Sequence, residues 1–369
     1  MKYYLIAGEA SGDLHGSNLM KSLKDGDSDT EFRFFGGDLM QAQGGTLVKH
    51  YADMAFMGFA EVIANLSTIF KNLKFAKADL LEFRPDALIL IDFPGFNLKI
   101  AEFAKKNDIP VFYYISPKVW AWNQKRVVKI KKTVDRMFCI LPFEVDFYKN
   151  WGMEVDYVGN PIMDAIDSNK EDPDFALRYN LKANMVIALL PGSRRQELNK
   201  LLPVMLEVID RFPNYQFVIA GAPTFTLDDY KPFIKEKRVQ VIFDETYNLL
   251  NHSSAAIVAS GTATLETALL KVPQVVVYKG NILSIAIARL VINIRYISLV
   301  NLIMDEEVVK ELIQDDCVPK KVAAELDSIL HDPLYRTRML INYDELAEKV
   351  GDPGASARAG ALMLQYLKR

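Results

Sequence analysis

Short apolar runs alternate with longer segments of helical periodicity along the whole chain. The runs are rich in β-branched and aromatic residues and have the length of buried strands. In the first half they are Tyr3–Ala7, Phe32–Phe35, Ala87–Ile91, Val111–Ile115, Met137–Ile140 and Val155–Val158. In the second half they are Met185–Leu190, Gln216–Ala220, Val239–Phe243, Ala255–Val258 and Gln274–Tyr278.

Helical periodicity fills the segments between these runs, for example at Asn18–Lys24, Leu98–Lys106 and Leu265–Leu270. Such alternation predicts parallel sheets covered by helices on both faces. We therefore predict an α/β fold of two doubly wound domains facing a cleft. The first domain is placed at residues 1–164 and the second at 165–349, and the helical end, 350–369, is predicted to cross back to the first.

Length and composition fit two globular domains. The 369 residues exceed one ordinary domain, and half of them are apolar. A formal charge of −3 gives no general attraction to nucleic acid. The two cysteines are too few for a disulfide framework, which indicates a reducing compartment. The best candidate for a membrane span, residues 282–304, contains Arg289 and Arg295, so no span is expected.

A glycine-containing loop, AGEASGDLHG at residues 7–16, follows the first predicted strand. Its glycines permit tight turns, and the helix after it offers backbone N–H groups to a ligand. The loop matches neither the P-loop nor the GxGxxG pattern. Two interpretations stay open, a ligand-binding loop or a tight turn in which Asp13 caps the helix.

Two further loops lie in the second half. In LPGSRRQE, residues 190–197, a glycine turn precedes a helix that begins with two arginines, which suit bidentate contact with phosphate. A surface turn paired with Glu197 is the alternative for Arg195. In ASGTATLE, residues 259–266, Glu266 can accept both hydroxyls of a ribose or can take part in helix capping. Together the two loops predict a nucleotide diphosphate site.

These motifs follow one another in an order that resembles the lipid-A-disaccharide synthases. Four further segments carry the resemblance: IDFPGFN at 91–97, YISPKVWAW at 114–122, VGNP at 158–161 and, more loosely, SLVNL at 298–302. It runs from residue 7 to about 302 and covers most of the chain. Each motif is short, but the combination is specific.

The resemblance implies a GT-B fold and an inverting transfer without a metal ion or other cofactor. UDP-2,3-diacylglucosamine would donate its sugar to the 6-hydroxyl of 2,3-diacylglucosamine 1-phosphate, giving the β-1,6 lipid A disaccharide 1-phosphate and UDP. The enzyme would be cytoplasmic, peripheral on the inner face of the bacterial inner membrane and in contact with its lipids. A homodimer is one alternative for its oligomeric state.

The predicted catalytic residues are Asp92, Glu9 and His15. Asp92 ends a strand at the ligand-facing edge of the sheet, and the resemblance implies that it is the base for the acceptor hydroxyl. Capping of a turn with Asn97 is the alternative. Glu9 and His15 are rival bases, and either would otherwise orient the base or hold an acyl amide.

The predicted binding residues fall into two sets. The first, in which Arg194 counters the charge of UDP, comprises Gly192, Ser193, Arg194, Ser260, Gly261, Thr262, Ala263, Thr264, Glu266, Asn301 and Gln314. The second, for the acceptor and its acyl chains, comprises Ser11, Val62, Leu66, Leu73, Lys118, Trp120 and Trp122.

Two segments offer the surface that a lipid requires. Positions 62, 66, 69, 70 and 73 share one helical face near three lysines, which indicates an interfacial helix or, alternatively, an ordinary core-facing one. Residues 118–136 carry seven basic residues and one acidic residue after a pair of tryptophans. That composition suits a phosphorylated lipid at a membrane surface, a solvated helix face or nucleic acid.

Three rival hypotheses stay open from the sequence. Two are other GT-B enzymes, a UDP-GlcNAc epimerase and an undecaprenyl-linked GlcNAc transferase. An epimerase does not need the apolar helix at residues 62–73. The third is a non-catalytic phosphate- or RNA-binding module that uses residues 118–136. The acidic overall charge and the two nucleotide-type loops argue against that module.

Overall fold

A computed structural model of the protein describes residues 1–54, 66–234, 237–280 and 295–368. The chain forms two compact units. Unit 1 is Met1–Asp164 with Asp352–Arg369, and unit 2 is Ala165–Gly351. Each unit contains its own parallel sheet with helices in the connections between strands. The predicted α/β fold of two doubly wound sheets is confirmed.

The described strands of unit 1 are β1 (Lys2–Ala7), β2 (Glu31–Gly36), β3 (Thr46–His50), β4 (Ala87–Ile91), β5 (Val111–Tyr114), β6 (Arg136–Cys139) and β7 (Asp156–Tyr157). They form a seven-stranded parallel sheet in the order β3-β2-β1-β4-β5-β6-β7. In the register of the central pair, Ile6 lies opposite Leu90. Both strands are buried almost throughout, since helices cover the two faces of the sheet.

The helices of unit 1 that precede the boundary are α1 (Ala10–Gly26), α2 (Asp38–Ala42), α3 (Leu66–Phe83), α4 (Pro94–Lys105), α5 (Val119–Trp122), α6 (Arg126–Thr133), α7 (Phe143–Asn150) and α8 (Pro161–Ser168), the last of which extends into unit 2. The two faces of the sheet have separate apolar cores. Tyr4, Leu90 and Tyr113 belong to one core, and Leu5 and Ile89 belong to the other.

Unit 2 has a six-stranded parallel sheet in the order β10-β9-β8-β11-β12-β13. Its strands are β8 (Val186–Leu190), β9 (Gln216–Gly221), β10 (Val239–Phe243), β11 (Ala255–Ala259), β12 (Gln274–Tyr278) and β13 (Glu311–Ile313). Its described helices are α9 (Phe175–Arg178), α10 (Arg195–Val208), α11 (Leu227–Ile234), α12 (Thr246–Asn251), α13 (Thr262–Leu269), α14 (Leu299–Met304), α15 (Pro319–His331) and α16 (Pro333–Val350).

The last helix, α17 (Ala355–Leu367), belongs to unit 1 and packs against α1. The carboxylate of Asp164 accepts hydrogen bonds from the backbone N–H groups of Gly354, Ala355 and Ser356 at the start of this helix. Arg358 donates in turn to the carbonyl oxygen of Val158 at 2.8 Å. Asp164 therefore supplies the acceptor that the first turn of a helix requires.

The predicted strands agree with the observed ones to within one or two residues. Two strands were not predicted, β3 and β13, because both are short edge strands without a continuous apolar run. Helix α1 begins at Ala10, well before the predicted start at Asn18. In the part of the chain that the structure describes, no helix is long and apolar enough to cross a membrane.

Candidate functional site

The four principal motif loops follow the strands at which the strand order of each sheet reverses. In unit 1 the chain runs from β1 outward to β3 and returns at β4, next to β1. In unit 2 it runs from β8 to β10 and returns at β11, next to β8. Ligands of doubly wound sheets bind outside the carboxyl ends of the strands at such reversals. Each unit therefore has one candidate site built from two predicted loops.

The two loops of unit 1 touch each other. A Cβ placed on Gly8 would lie 2.4 Å from the ring of Phe93, which comes directly after Asp92, so only glycine fits here. Glu9 precedes the first residue of α1 and is half-buried, and Ser11 is exposed. The structure thus brings the first loop and the Asp92 loop together.

Asp92 and Phe93 both have left-handed backbones, with φ angles of 42° and 47°. This conformation is uncommon for residues other than glycine, and such residues cluster at functional sites. Burial raises the pKa of Asp92 to about 6, Lys118 lowers it and Glu9 raises it. At pH 7 the carboxylate is largely ionised and more basic than an ordinary aspartate, which suits proton abstraction.

The backbone around Asp92 is fixed by its neighbours. Its carbonyl oxygen accepts hydrogen bonds from the Tyr113 hydroxyl at 2.5 Å and from the Asn97 amide at 2.8 Å. Asn97 therefore bonds the backbone of Asp92 and not its carboxylate. This hydrogen bonding gives a physical reason for the left-handed geometry.

His15 lies on the same helix as Ser11 and is neutral at pH 7. Burial lowers the pKa of His15 to about 4. Its Nδ1 atom is buried without a hydrogen-bond partner in the described residues. An imidazole that is hard to protonate is a weaker base than Asp92, so His15 fits an orienting contact better than proton removal.

Asp13 does not cap its own helix. It is buried, and its carboxylate accepts hydrogen bonds from the backbone N–H groups of Gly37, Leu39 and Met40 at 2.7, 3.1 and 3.0 Å. These groups belong to the start of α2, whose orphan donors Asp13 satisfies. The capping alternative named the wrong helix, because the partner lies 24 residues or more away in sequence.

Trp120 is enclosed by protein and does not fit the predicted contact with a lipid. Its side chain is 9% exposed, its indole Nε1 donates to Glu144 at 3.2 Å, and its ring meets Phe143 edge-on at 4.9 Å. Lys118, two residues earlier, is exposed. The side chain of Trp122 lies outside the described residues.

The apolar helix divides between surface and core. Val62 lies outside the described residues, Leu66 and Phe70 are 44% and 60% exposed, and Leu73 is 5% exposed within the core. The prediction that Leu73 faces a lipid is therefore wrong. Leu73 shares one face of the helix with Ala76 and Leu80, and this face packs into the apolar core of unit 1.

A shallow groove of about 470 Å³ runs between α3 and α4. Its floor is apolar and its rim is mostly basic. The lining residues are Phe70, Leu73, Lys74, Lys77, Lys99, Glu102, Phe103 and Lys106. Two of the lysines lie over aromatic rings, Lys99 over Phe70 at 5.5 Å and Lys77 over Phe103 at 5.2 Å.

In unit 2, the first loop presents an exposed arginine beside a helix start. Gly192 has a φ of 97°, and a Cβ there would lie 2.3 Å from Oε2 of Glu197. The Glu197 carboxylate accepts from the backbone N–H of Arg194 at 3.3 Å and pairs with the guanidinium at 3.4 Å. Because Arg194 is 63% exposed, its guanidinium remains accessible to an anion.

Two neighbours of Arg194 are held by protein contacts. Arg195 pairs with Asp229 at 2.6 Å, not with Glu197, and lies over the ring of Phe225. The carbonyl oxygen of Ser193 accepts from the Thr224 hydroxyl at 2.8 Å. Arg194 is thus the better placed of the two arginines for a ligand.

The second loop of unit 2 can contact an anion through its backbone N–H groups more readily than through its hydroxyl groups. Thr264 is fully buried and donates to the carbonyl oxygen of Gly261 at 2.8 Å, so its predicted contact with phosphate is wrong. The Ser260 hydroxyl donates to the Ile297 carbonyl at 3.0 Å. Gly261 and Thr262 are exposed and Ala263 is half-buried at the N-terminus of α13, where backbone N–H groups favour an anion.

Glu266 has a partner that the sequence did not reveal. The Tyr247 hydroxyl donates to Oε1 of Glu266 at 3.1 Å. Burial raises the pKa of Glu266, and the hydrogen bond from Tyr247 lowers it. Tyr247 follows β10, which ends at the same edge of the sheet as β11. The position of Tyr247 directly after a predicted strand could have indicated a site residue, but the segment has no glycine motif.

Asn301 and Gln314 are engaged within the protein. Asn301 is fully buried; it donates to Val309 and Glu311 and accepts from the N–H groups of Val308 and Val309. The predicted contact of Asn301 with a ligand is therefore wrong, because its amide has no capacity left. Gln314 accepts from the N–H of Gly280 at 2.8 Å and supports that backbone.

No group of three or more His, Cys, Asp or Glu side chains that could hold a metal ion occurs among the described residues.

Comparison with known proteins identifies relatives over nearly the whole chain. The family model described as lipid-A-disaccharide synthetase matches residues 3–352. The lipid-A-disaccharide synthase of Trichlorobacter lovleyi is 38% identical over 372 residues, which cover 99% of this chain and 97% of that protein. The one from Syntrophus aciditrophicus is 39% identical over 373 residues, with the same coverage.

Solved structures with the same fold share little sequence. The UDP-GlcNAc 2-epimerase of Neisseria meningitidis, bound to UDP-GlcNAc, has a TM-score of 0.71 at 13% identity and covers 99% of this chain and 100% of that one. The calicheamicin glycosyltransferase has a TM-score of 0.61 at 15% identity, covering 100% and 98%. At these identities the likeness shows the fold alone.

Proposed function

The chain belongs to the lipid-A-disaccharide synthase family and makes the lipid A disaccharide, and we propose that unit 1 activates the acceptor sugar while unit 2 holds UDP. The donor is UDP-2,3-diacylglucosamine and the acceptor is 2,3-diacylglucosamine 1-phosphate. The product is the β-1,6 disaccharide 1-phosphate. Family membership supports the reaction class and argues against an epimerase or an RNA-binding module.

The observation that carries the division of labour is Asp92. It lies at the end of β4, at the reversal of the unit 1 sheet, with a left-handed backbone and a pKa raised to about 6. Asp92 takes the proton of the acceptor 6-hydroxyl as that oxygen attacks the anomeric carbon of the donor. The new C–O bond replaces the bond to the diphosphate from the opposite face, so the configuration inverts.

The departing UDP takes the electron pair of the broken C–O bond, so negative charge develops on its diphosphate. Arg194 supplies an accessible guanidinium, and the N-termini of α10 and α13 supply backbone N–H groups to the diphosphate. Glu266, held by Tyr247, accepts the hydroxyls of the ribose. These groups belong to the chain itself, so we propose that no metal ion or other cofactor is needed for departure.

The acceptor is held through its charge and its acyl chains. Lys118 is exposed and close enough to Asp92 to lower the pKa of that carboxyl, and it contacts the sugar 1-phosphate. Exposed Leu66 and Phe70 and the lysine-rimmed groove beside them meet the acyl chains and the anionic headgroups of the membrane. Glu9 and His15 orient the acceptor.

We place the enzyme on the inner face of the bacterial inner membrane as a peripheral protein, because both substrates are lipids.

Incubation of the purified protein with both lipid substrates tests the proposal. Mass spectrometry should detect the disaccharide 1-phosphate, with UDP released in equal amount, and proton NMR should give the coupling constant of a β anomer. An α-linked product would contradict the single displacement. Absence of the disaccharide, with each substrate shown to be bound, would contradict the assigned substrates.

A further inference from the structure

A buried carboxylate lies behind the loop that carries Lys118. Glu144, in the first turn of α7, is 1% exposed. It accepts hydrogen bonds from the indole of Trp120 at 3.2 Å and from the backbone N–H of Leu141 at 3.1 Å, and the Ser116 side chain also stabilises its ionised form. Buried carboxylates persist only when they are bonded in this way.

The loop is strained where it begins. Ile115, directly after β5, has a φ of 65°, and a left-handed backbone is a genuine outlier for a β-branched residue. Contacts on both sides hold it. The N–H of Ile115 donates to Phe138 at 3.0 Å, and the Ser116 hydroxyl lies 2.8 Å from that of Tyr148 on α7. The start of the loop is thus bonded both to β6 and to α7.

The same loop is coupled to Asp92. The N–H of Asp92 donates to the carbonyl of Tyr114 at 3.2 Å, and the Tyr113 hydroxyl bonds the carbonyl of Asp92. Burial raises the pKa of the Tyr113 hydroxyl, and Asp92 and Tyr148 raise it further. Glu144 and the backbone of Asp92 are therefore bonded to the same segment, residues 113–120, and this segment carries Lys118, which lowers the pKa of Asp92.

We propose that Glu144 is a positioning residue that holds the 115–122 loop, and with it Lys118, in the arrangement that activates Asp92. The inference rests on the proposed role of Asp92 and extends it to a residue that contacts no substrate. Trp120 links the two, because its indole N–H donates to the Glu144 carboxylate while its backbone belongs to the loop.

The titration of Glu144 supplies a readout that a merely structural residue lacks. Burial raises the pKa of Glu144 to about 7, against the hydrogen bonds that lower it. The titratable groups that face it are Cys139 on β6, Tyr148 on α7 and Tyr157 on β7. Protonation replaces one acceptor site by a donor, so the loop loses a bond as the pH falls through about 7.

The test compares Glu144→Gln with the exposed control Glu154→Gln. We expect Glu144→Gln to lower kcat/KM for the acceptor about tenfold and to leave UDP affinity unchanged, because a charged hydrogen-bond acceptor is lost in unit 1 alone. The acid limb of its pH profile should lose the step near pH 7, and the step of Asp92 should move above pH 6, because Lys118 no longer lowers the pKa of that carboxyl. Glu154→Gln should match the wild type in both respects.

A second variant covers the case in which Glu144→Gln fails to fold. Trp120→Phe keeps one aromatic six-membered ring and removes the indole N–H donor, and it should lower the same kcat/KM with UDP affinity retained. Wild-type kcat/KM and a wild-type pH profile in a folded Glu144→Gln or, failing that, in Trp120→Phe would overturn the inference. Near-normal turnover by Asp92→Asn would instead overturn the proposed base, so the two failures are distinguishable.

Discussion

The hydroxyl of Tyr247 and the carboxylate of Glu266 are 3.1 Å apart and joined by a hydrogen bond, although they come from helices that follow different strands of unit 2. The bond fixes one carboxylate oxygen and leaves the other for a ligand. A ribose contact by Glu266 therefore depends on a residue outside the recognised motifs.

Tyr247→Phe should weaken UDP binding about five- to tenfold, since one hydrogen bond that orients the carboxylate is lost. Isothermal titration calorimetry measures this change. Because Tyr247 lowers the pKa of Glu266, the variant should also lose affinity at a higher pH than the wild type as the pH falls. Tyr335→Phe, which breaks the Tyr335–Glu325 bond of 2.6 Å elsewhere in unit 2, is the matched control.

Asp92→Asn should reduce turnover about a thousandfold, the contribution of a general base, while UDP affinity stays unchanged. In the wild type, activity should fall as the pH drops through about 6, because protonation of Asp92 removes the base. Initial rates of disaccharide formation across the pH range measure both effects. Turnover of Asp92→Asn near the wild-type rate would exclude the assignment.

Gly192→Ala should cost about 1 kcal/mol or more of folding stability, because alanine is strained at a φ of 97° and its Cβ would meet Glu197. UDP affinity should fall with it, since Glu197 holds Arg194. Gly261→Ala is the control for stability alone, because Gly261 has an extended backbone and no atom within 4 Å of an added Cβ. Thermal unfolding should separate the two variants; equal melting temperatures would count against this account.

Replacing exposed Leu66 and Phe70 together with serine should reduce sedimentation with vesicles that contain anionic phospholipid, without loss of stability. Leu73→Ser is the contrasting variant. Its side chain lies in the core, so the change should destabilise unit 1 by roughly 2–5 kcal/mol, the range measured for truncation of buried leucines. Unchanged sedimentation of a folded Leu66, Phe70 double variant would show that these side chains do not meet the membrane.

Turnover should survive excess EDTA, because the charges proposed to stabilise departing UDP belong to the chain itself. Rates measured before and after chelation, and after Mg²⁺ is returned, provide the measurement. A rate that collapses with EDTA and recovers with Mg²⁺ would show that a cation supplies part of that stabilisation.

Local patterns in the sequence predicted the sheets well. A central strand such as Ala87–Ile91 is a continuous apolar run, because it is buried on both faces, and its position then fixes Asp92 at the carboxyl end. Partnerships between distant residues could not be predicted. The sequence around Trp120 would be the same whether its side chain contacts a lipid or Glu144. Likewise, the sequence around Asn301 would be the same whether its amide binds a nucleotide or the backbone at Val308.

The packing of α17 on α1 affects the order in which the two units can fold. Unit 2 is one continuous stretch, whereas unit 1 also needs α17, which follows unit 2 in the sequence. Unit 2 can therefore fold completely while the surface of unit 1 that receives Ala359, Met363 and Leu364 is still uncovered. A chain that ended at Gly351 would carry a complete unit 2 and a unit 1 with an open apolar face, the kind of intermediate that chaperones bind.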